Sequence, residues 1–350
     1  MKIVVLAGGM STERTVSLVS GTEICRALRR RGHQAVLIDM FLGLEGYSGP
    51  AEEIFDAPDG LCSGVSIGTS EPDRESVRRG RKDQSPSLLG QDVLRVCAMA
   101  DIVFLGLHGQ GGEDGRIQAT LDLLGVPYTG SGYLAAAMAM DKAVCKQVMD
   151  THGIRTPAWR DFTYGPEDID RLTAELSVPC ALKVVNGGSS LGVYLPDTKE
   201  ELRAGLTDLL KYGNHAVAEE KIRGRELTVG VLGDRYLPAV EILPAAGYFD
   251  YAAKYQPGGS RELCPAPVTE SEQRQMGEAA LALHRALGLA VYSRSDFLLD
   301  DQGRAWCLEV NTLPGMTPAS LVPKEAAAVG MSYEDLCEEI VRQSLPIKRR

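Results

Sequence analysis

Between Tyr292 and Thr317, two runs of alternating apolar residues flank Asp300-Asp301-Gln302-Gly303, and this pattern constrains the fold more than any other stretch. It is the signature of a β-hairpin, two strands joined by a tight turn. With the turn centred between Gln302 and Gly303, Asp296 falls opposite Glu309 and Arg294 opposite Asn311. Side chains alternate faces along a strand, so these residues project from one side of the hairpin. A pair of carboxylates, an amide and a guanidinium then share a face beside the turn at Pro314-Gly315. Hard oxygen donors gathered in this way suit Mg²⁺, which takes carboxylates and completes its shell with phosphate oxygens and water. An exposed polar strand face would show the same alternation, but it has no need of a turn that aims a backbone N–H.

The rest of the chain interleaves short strand and helix patterns, which places it in the α/β or α+β class. At 350 residues and 44% hydrophobic composition, it has material for several modest cores. A net charge of −10 argues against nucleic acid as a partner. The eight cysteines form no C-x-x-C pair and no His/Cys ligand spacing, the usage of reduced thiols in a cytoplasm. The apolar run Ile3-Val4-Val5-Leu6 is far too short to cross a bilayer and no signal peptide precedes it, so a cytoplasmic chain without a membrane partner is expected.

In chain order, a strand from Lys2 to Leu6 leads through Gly8-Gly9 into a helix that Gly32 ends, and a second strand follows from His33 to Met40. This βαβ opening is Rossmann-like, although the third glycine of the dinucleotide fingerprint is missing. Glu13 lies in the loop at the carboxyl end of a strand, where α/β sheets bind ligands; a helix-terminal acid favoured by the macrodipole is the equal alternative. Residues 59–91 hold few large apolar side chains and read as a surface insertion. The next strand ends at His108, before a glycine loop that lets a ligand approach closely. One helix is predicted from about Tyr133 to His152, and then a strand from Val178 to Val185 carries Lys183. The loop Asn186-Gly187-Gly188-Ser189-Ser190-Leu191-Gly192 reads as a phosphate cradle, and a buried Lys183 would need an anion such as a nucleotide phosphate. Asp197 with Glu200 is expected to cap the next helix, and Thr269 with Glu272 a later one whose stripe from Met276 to Leu287 is core.

Several motifs then stand together: Gly8-Gly9-x-Ser11-x-Glu13-Arg14, His108-Gly-x-Gly-Gly-Glu113-Asp114-Gly115, Tyr128-Thr129-Gly130-Ser131 and Asp141-Lys142. Gly188-Ser189-Ser190-x-Gly192, Asp250-Tyr251-x-Ala-Lys254-Tyr255 and Glu309-x-Asn311-Thr-x-Pro-Gly315-Met316-Thr317 complete the set. In order and over nearly the whole chain, they resemble the D-alanine–D-alanine ligases of the ATP-grasp superfamily. The resemblance implies a three-domain ATP-grasp fold with a Rossmann-like N-terminal domain. Its parts would be residues 1–130 with the insertion 59–91, a central 131–218, and a C-terminal 219–346. It implies ATP-dependent joining of D-alanine to D-alanine through a D-alanyl phosphate for peptidoglycan precursors. The implied cofactor is Mg²⁺, as a pair of ions with Mn²⁺ as an alternative, and a homodimer is compatible with it.

By the same resemblance Lys142, Lys183, Ser190 and Lys254 would contact phosphates. Glu219 and the backbone of Glu220 and Ile222 would hold adenine, and Glu226 the ribose. Asp296, Glu309 and Asn311 would ligate the metal. Glu13 would bind the first ammonium, clasped with Ser189 and Tyr255. Arg294 and the Gly315 N–H would face the oxyanion, Ser320 with Leu321 the second carboxylate, and His108 would lie near the first D-alanine. The chain departs from the family at Val184, Asn186 and Gly187, beside the phosphate loop, and at Ser295, which strand alternation turns away from the metal. A D-alanine–D-lactate or D-alanine–D-serine ligase is the alternative, which Lys254-Tyr255 disfavours. A silent nucleotide-binding protein is disfavoured by the complete set Arg294, Asp296, Glu309 and Asn311.

Overall fold

The computed structural model describes residues 1–57, 59–62, 73–187, 192–244 and 259–349. The opening apolar run is β1 (Lys2–Ala7), which lies between β2 (Gln34–Asp39) and β3 (Ile102–Leu105) in a parallel sheet. Strands buried on both faces carry continuous apolar runs, and every residue of β3 and all but the first of β1 are buried. The helix Arg14–Arg30 packs against this sheet. The turn into it is tight at Gly8, where φ is +77° and a Cβ would lie 2.8 Å from the Asp39 carboxylate. That carboxylate pairs with the buried Arg14, so a side chain at position 8 would be strained and would press on an ion pair.

The segment 59–91 is not wholly superficial. Arg81 is 2% exposed, donates to the Ser87 and Leu89 carbonyls at 2.6 and 3.0 Å, and lies 4.6 Å from the centre of the Phe41 ring. Composition hid this anchor, because an arginine counts as polar even where carbonyls and a ring hold the end of its guanidinium.

The second sheet holds β4 (Trp159–Thr163), β5 (Cys180–Val184), β6 (Val193–Tyr194) and β7 (His215–Glu220), antiparallel in the order β4-β7-β5-β6. The single helix expected before it is in fact two, Tyr133–Met140 and Lys142–Thr151. Asp141 breaks the run with ψ 105°, and its side chain accepts the Val144 N–H to start the second helix. The next cap also shifts by one residue. Thr198, not Asp197, caps Lys199–Leu209 and closes a capping box with Glu201, whose carboxylate also takes the Asp197 N–H.

The third sheet comprises β8 (Arg225–Leu232), β9 (Arg235–Tyr236), β10 (Val240–Pro244), β11 (Ser260–Leu263), β12 (Tyr292–Leu299) and β13 (Ala305–Asn311). Its order is β11-β10-β8-β12-β13, with β9 paired to β8. The helix Glu270–Ala286 opens with the Thr269–Glu272 capping box and buries Met276, Ala280 and Leu283 against this sheet. The helix Tyr333–Ser344 runs back to the first sheet. Its Leu336, Cys337, Ile340 and Val341 join the core of β1–β3, while Glu334 and Glu338 meet Arg30 at 2.8 Å and His33 at 2.7 Å. All eight cysteines carry free thiols, and among the described residues no helix is long and apolar enough to cross a membrane.

Candidate active site

The hairpin β12–β13 pairs Arg294 with Asn311 and Asp296 with Glu309, as the sequence suggests, although the path to that register is different. Nearer the turn the pairs are Phe297–Cys307 and Leu299–Ala305, one residue out of step, and a β-bulge restores the phase. Along β13 the alternation of buried Ala305 and Cys307 breaks at Leu308 and Glu309, which are both half-buried. Without the extra residue, Glu309 would follow Cys307 into the core. The bulge turns it onto the face of Arg294 and Asp296.

On that face Arg294 clasps Asp296 through Nε at 2.8 Å and Nη2 at 2.9 Å. Thr228 Oγ1 and Asn311 Nδ2 donate to the same carboxylate at 2.9 and 3.2 Å. Burial opposes the charge on Arg294, but Asp296 more than offsets it, so the guanidinium stays firmly protonated. Lys142, in the first turn of its helix, reaches Glu309 at 3.4 Å and the Gly187 carbonyl at 2.7 Å. It therefore spans the polar hairpin face and the entry to the Gly/Ser loop. Ser189 and Ser190 of that loop, and Lys254 and Tyr255, lie outside the described residues. Ser295 is fully buried on the opposite face, and nothing in the structure explains its hydroxyl.

Glu219 sits between lysines, 3.0 Å from Lys183 and 3.3 Å from Lys146. Lys146 was not singled out by the sequence. The available signal was its place four residues after Lys142 on one helix, and its side chain is 1% exposed. Burial lowers the Lys146 pKa, with Glu219 pulling it back. Burial would also lower Lys183, but Glu219 and Glu309 raise it above the ordinary value. The ammoniums overcome the burial of Glu219 and hold its carboxyl below the usual range. Glu220 is exposed, with its N–H on the Ala158 carbonyl at 2.7 Å, and Ile222 and Glu226 are half-buried nearby in the chain.

Glu13 is buried at the N-cap position of the helix Arg14–Arg30 without a side-chain hydrogen bond to the first turn, a place that also suits an acid favoured by the macrodipole. Opposite it, Gly109 has room for little else, since a Cβ there would lie 3.1 Å from the Glu13 carboxylate. His108 Nδ1 donates to the Leu313 carbonyl at 2.9 Å, and its Nε2 is 3.4 Å from the Ser20 hydroxyl, which also accepts the Met316 N–H at 3.4 Å. Burial lowers the His108 pKa, so the ring is neutral. Glu113 accepts the Gly109 N–H at 2.8 Å and the Leu313 N–H at 3.0 Å. Leu313 is thus gripped at both backbone groups, immediately before Pro314-Gly315. Beyond Gly315, the Ser320 hydroxyl holds Thr317 through its N–H and its hydroxyl at 3.0 and 2.8 Å, and Leu321 begins the helix Leu321–Ala328.

Among the described residues, no three His, Cys, Asp or Glu side chains are grouped to hold a metal alone. Asp296, Glu309 and Asn311 instead offer hard oxygens and leave positions for phosphate and water, a donor set that fits Mg²⁺. The site can neutralise phosphates from one side and present a guanidinium to an anion from the other.

A family model described as the D-ala D-ala ligase N-terminus matches residues 2–131, and one described as its C-terminus matches 148–342. The D-alanine–D-alanine ligase of Lacticaseibacillus casei is 41% identical over 99% of this chain and 96% of its own. A crystal structure of the Bacillus anthracis D-alanine–D-alanine ligase complexed with ATP is 29% identical with TM-score 0.71, covering 99% of this chain and 98% of that one. The VanG D-Ala:D-Ser ligase of Enterococcus faecalis is 27% identical with TM-score 0.75, covering 98% and 99%.

Proposed function

The chain belongs to the D-alanine–D-alanine ligase family, and from that membership we infer that it makes D-alanyl-D-alanine from D-alanine and ATP for peptidoglycan precursors. A carboxylate is a poor electrophile, so phosphorylation of the first D-alanine by ATP supplies a leaving group. The amine of the second D-alanine then attacks the acyl phosphate, and phosphate departs.

We assign the roles as follows. Lys142 and Lys183, with Ser190 and Lys254, contact the phosphates, while Glu219, Glu220 and Ile222 border the base and Glu226 the ribose. Asp296, Glu309 and Asn311 hold Mg²⁺, as a pair of ions. Bound there, divalent cations would spread the charge that builds on the transferring phosphoryl oxygens. Glu13 takes the first ammonium with Ser189 and Tyr255, and Ser320 and Leu321 take the second carboxylate at a helix N-terminus. Arg294 and the Gly315 N–H stabilise the oxyanion. His108 and Glu113 keep that N–H aimed through their hold on Leu313. The observation that carries the assignment is Lys142, whose ammonium lies within 3.4 Å of a metal-face carboxylate and 2.7 Å of the phosphate-loop entry. We place the reaction in the cytoplasm, with which the free thiols accord.

The test offers D-alanine, D-serine and D-lactate together with ATP and identifies the product. D-alanyl-D-alanine as the main product, with matched ADP release, is expected. A predominant D-alanyl-D-serine or depsipeptide product would overturn the substrate assignment.

A further inference from the structure

Glu325, on the helix Leu321–Ala328, is 0% exposed, and neither carboxylate oxygen makes a well-formed hydrogen bond to a described residue. Desolvating a carboxyl that lacks a well-formed hydrogen bond is costly, and a leucine would fill this helix position without that cost. The fold nevertheless makes room for it. Gly230 on β8 has no Cβ, and one built there would lie 2.1 Å from Glu325 Oε2. Gly230 is also the cross-strand partner of Arg294. Paired residues carry their Cβ positions about 5 Å apart on one face, so the Glu325 carboxyl lies beside the root of the Arg294 side chain. Burial pushes the Glu325 pKa up, and Arg294 and then the Gly230 N–H oppose this.

Arg294 meanwhile spends Nε and Nη2 on Asp296. On the function proposed above, both members of that pair have other tasks, the cation for Asp296 and the oxyanion for Arg294. Locked together, they compete with those tasks. We propose that Glu325 is a positioning residue for Arg294, the second carboxyl that receives the guanidinium when Asp296 turns to the divalent cation. This rests on the metal and oxyanion assignments, and the test separates the two.

Glu325→Leu and Glu325→Gln are compared with the parent, and Arg294→Lys serves as control. The readouts are the melting temperature without ligands, Mn²⁺ affinity by electron paramagnetic resonance with an unreactive ATP analogue, and kcat and KM. Glu325→Leu is expected to melt higher, because it removes a fully buried carboxyl that lacks a well-formed hydrogen bond. Both Glu325 variants should bind Mn²⁺ roughly tenfold more weakly, as loss of an outer partner of a metal ligand does. They should lose about tenfold in kcat with KM for ATP unchanged, the sign of an interaction used in the transition state. Gly230→Ala should reproduce Glu325→Gln by driving a Cβ into the carboxyl. If Glu325→Leu is insoluble, Glu325→Gln, which keeps the shape, decides. Parent-like Mn²⁺ affinity in soluble Glu325 variants overturns the hand-over, whatever happens to kcat. Combined with an inactive Arg294→Lys, that result leaves the site assignment standing. Parent-like turnover of Arg294→Lys overturns the oxyanion assignment and the hand-over together.

Discussion

Glu113 accepts one N–H on each oxygen, from Gly109 at 2.8 Å and from Leu313 at 3.0 Å. Glu113→Gln keeps the shape but offers a single accepting oxygen, so one of those N–H groups must face an NH₂. A buried donor left unpaired costs about 1–3 kcal/mol. A second contribution depends on pH. Burial, reinforced by Glu13, pushes the Glu113 carboxyl from 4.5 up to about 7. In the unfolded chain it titrates near its ordinary value. Between those values the unfolded state has lost a proton that the folded state keeps, so stability falls as pH rises through the window. At about 1.36 kcal/mol per pKa unit, the rise from 4.5 to about 7 removes about 3 kcal/mol from the parent. The glutamine variant has no such dependence. Below the window the parent should be the more stable by about 1–3 kcal/mol; above it that lead should vanish or reverse. Urea unfolding of both proteins from about pH 5 to about pH 8 reads the difference directly. A parent-minus-variant difference that stays flat across that range refutes the reasoning.

Glu309→Gln should abolish divalent-dependent turnover in a protein that stays folded by circular dichroism; near-parent turnover at ordinary Mg²⁺ would remove Glu309 from the metal site. Lys146→Met leaves the buried Glu219 with Lys183 alone and should cost about 3 kcal/mol, so an unchanged urea midpoint would show that Lys146 is not needed to balance that charge. Arg81→Ala gives up the Phe41 ring and carbonyl bonds and should cost about 2 kcal/mol. A thermal melt indistinguishable from the parent would return the segment 59–91 to the status of a dispensable surface insertion.

The residues facing one another on the hairpin were legible because a strand exposes every second side chain, and four polar groups at that spacing have few other uses. The register came out right at Asp296 and Glu309 although the turn is centred differently, because the bulge at Leu308–Glu309 compensates. A bulge leaves almost no trace in a single sequence. Lys146, Glu325 and Arg81 were missed for a shared reason. Each is a charged residue whose burial is set by another element, and periodicity reports only the faces of its own. The cap at Thr198 turned on which of two adjacent polar side chains reaches a backbone N–H, a choice worth about 1 kcal/mol, and the helix break at Asp141 on its side chain taking the Val144 N–H. The neighbours of His108 were out of reach too, since its partner Leu313 lies across the molecule in a different part of the chain.

The return of the helix Tyr333–Ser344 to β1–β3 has a consequence for the order of events at the ribosome. The first sheet, with Glu13 and His108 at its loops, is synthesised early but leaves the exit tunnel with part of its apolar flank bare. Leu336, Cys337, Ile340 and Val341, which cover that flank, arrive only after both other sheets have been made. The unit translated first therefore matures last, and until then it presents the kind of surface that chaperones bind and aggregates grow from. A chain cut before Tyr333 loses more than a tail: it leaves the core of its own beginning unfinished.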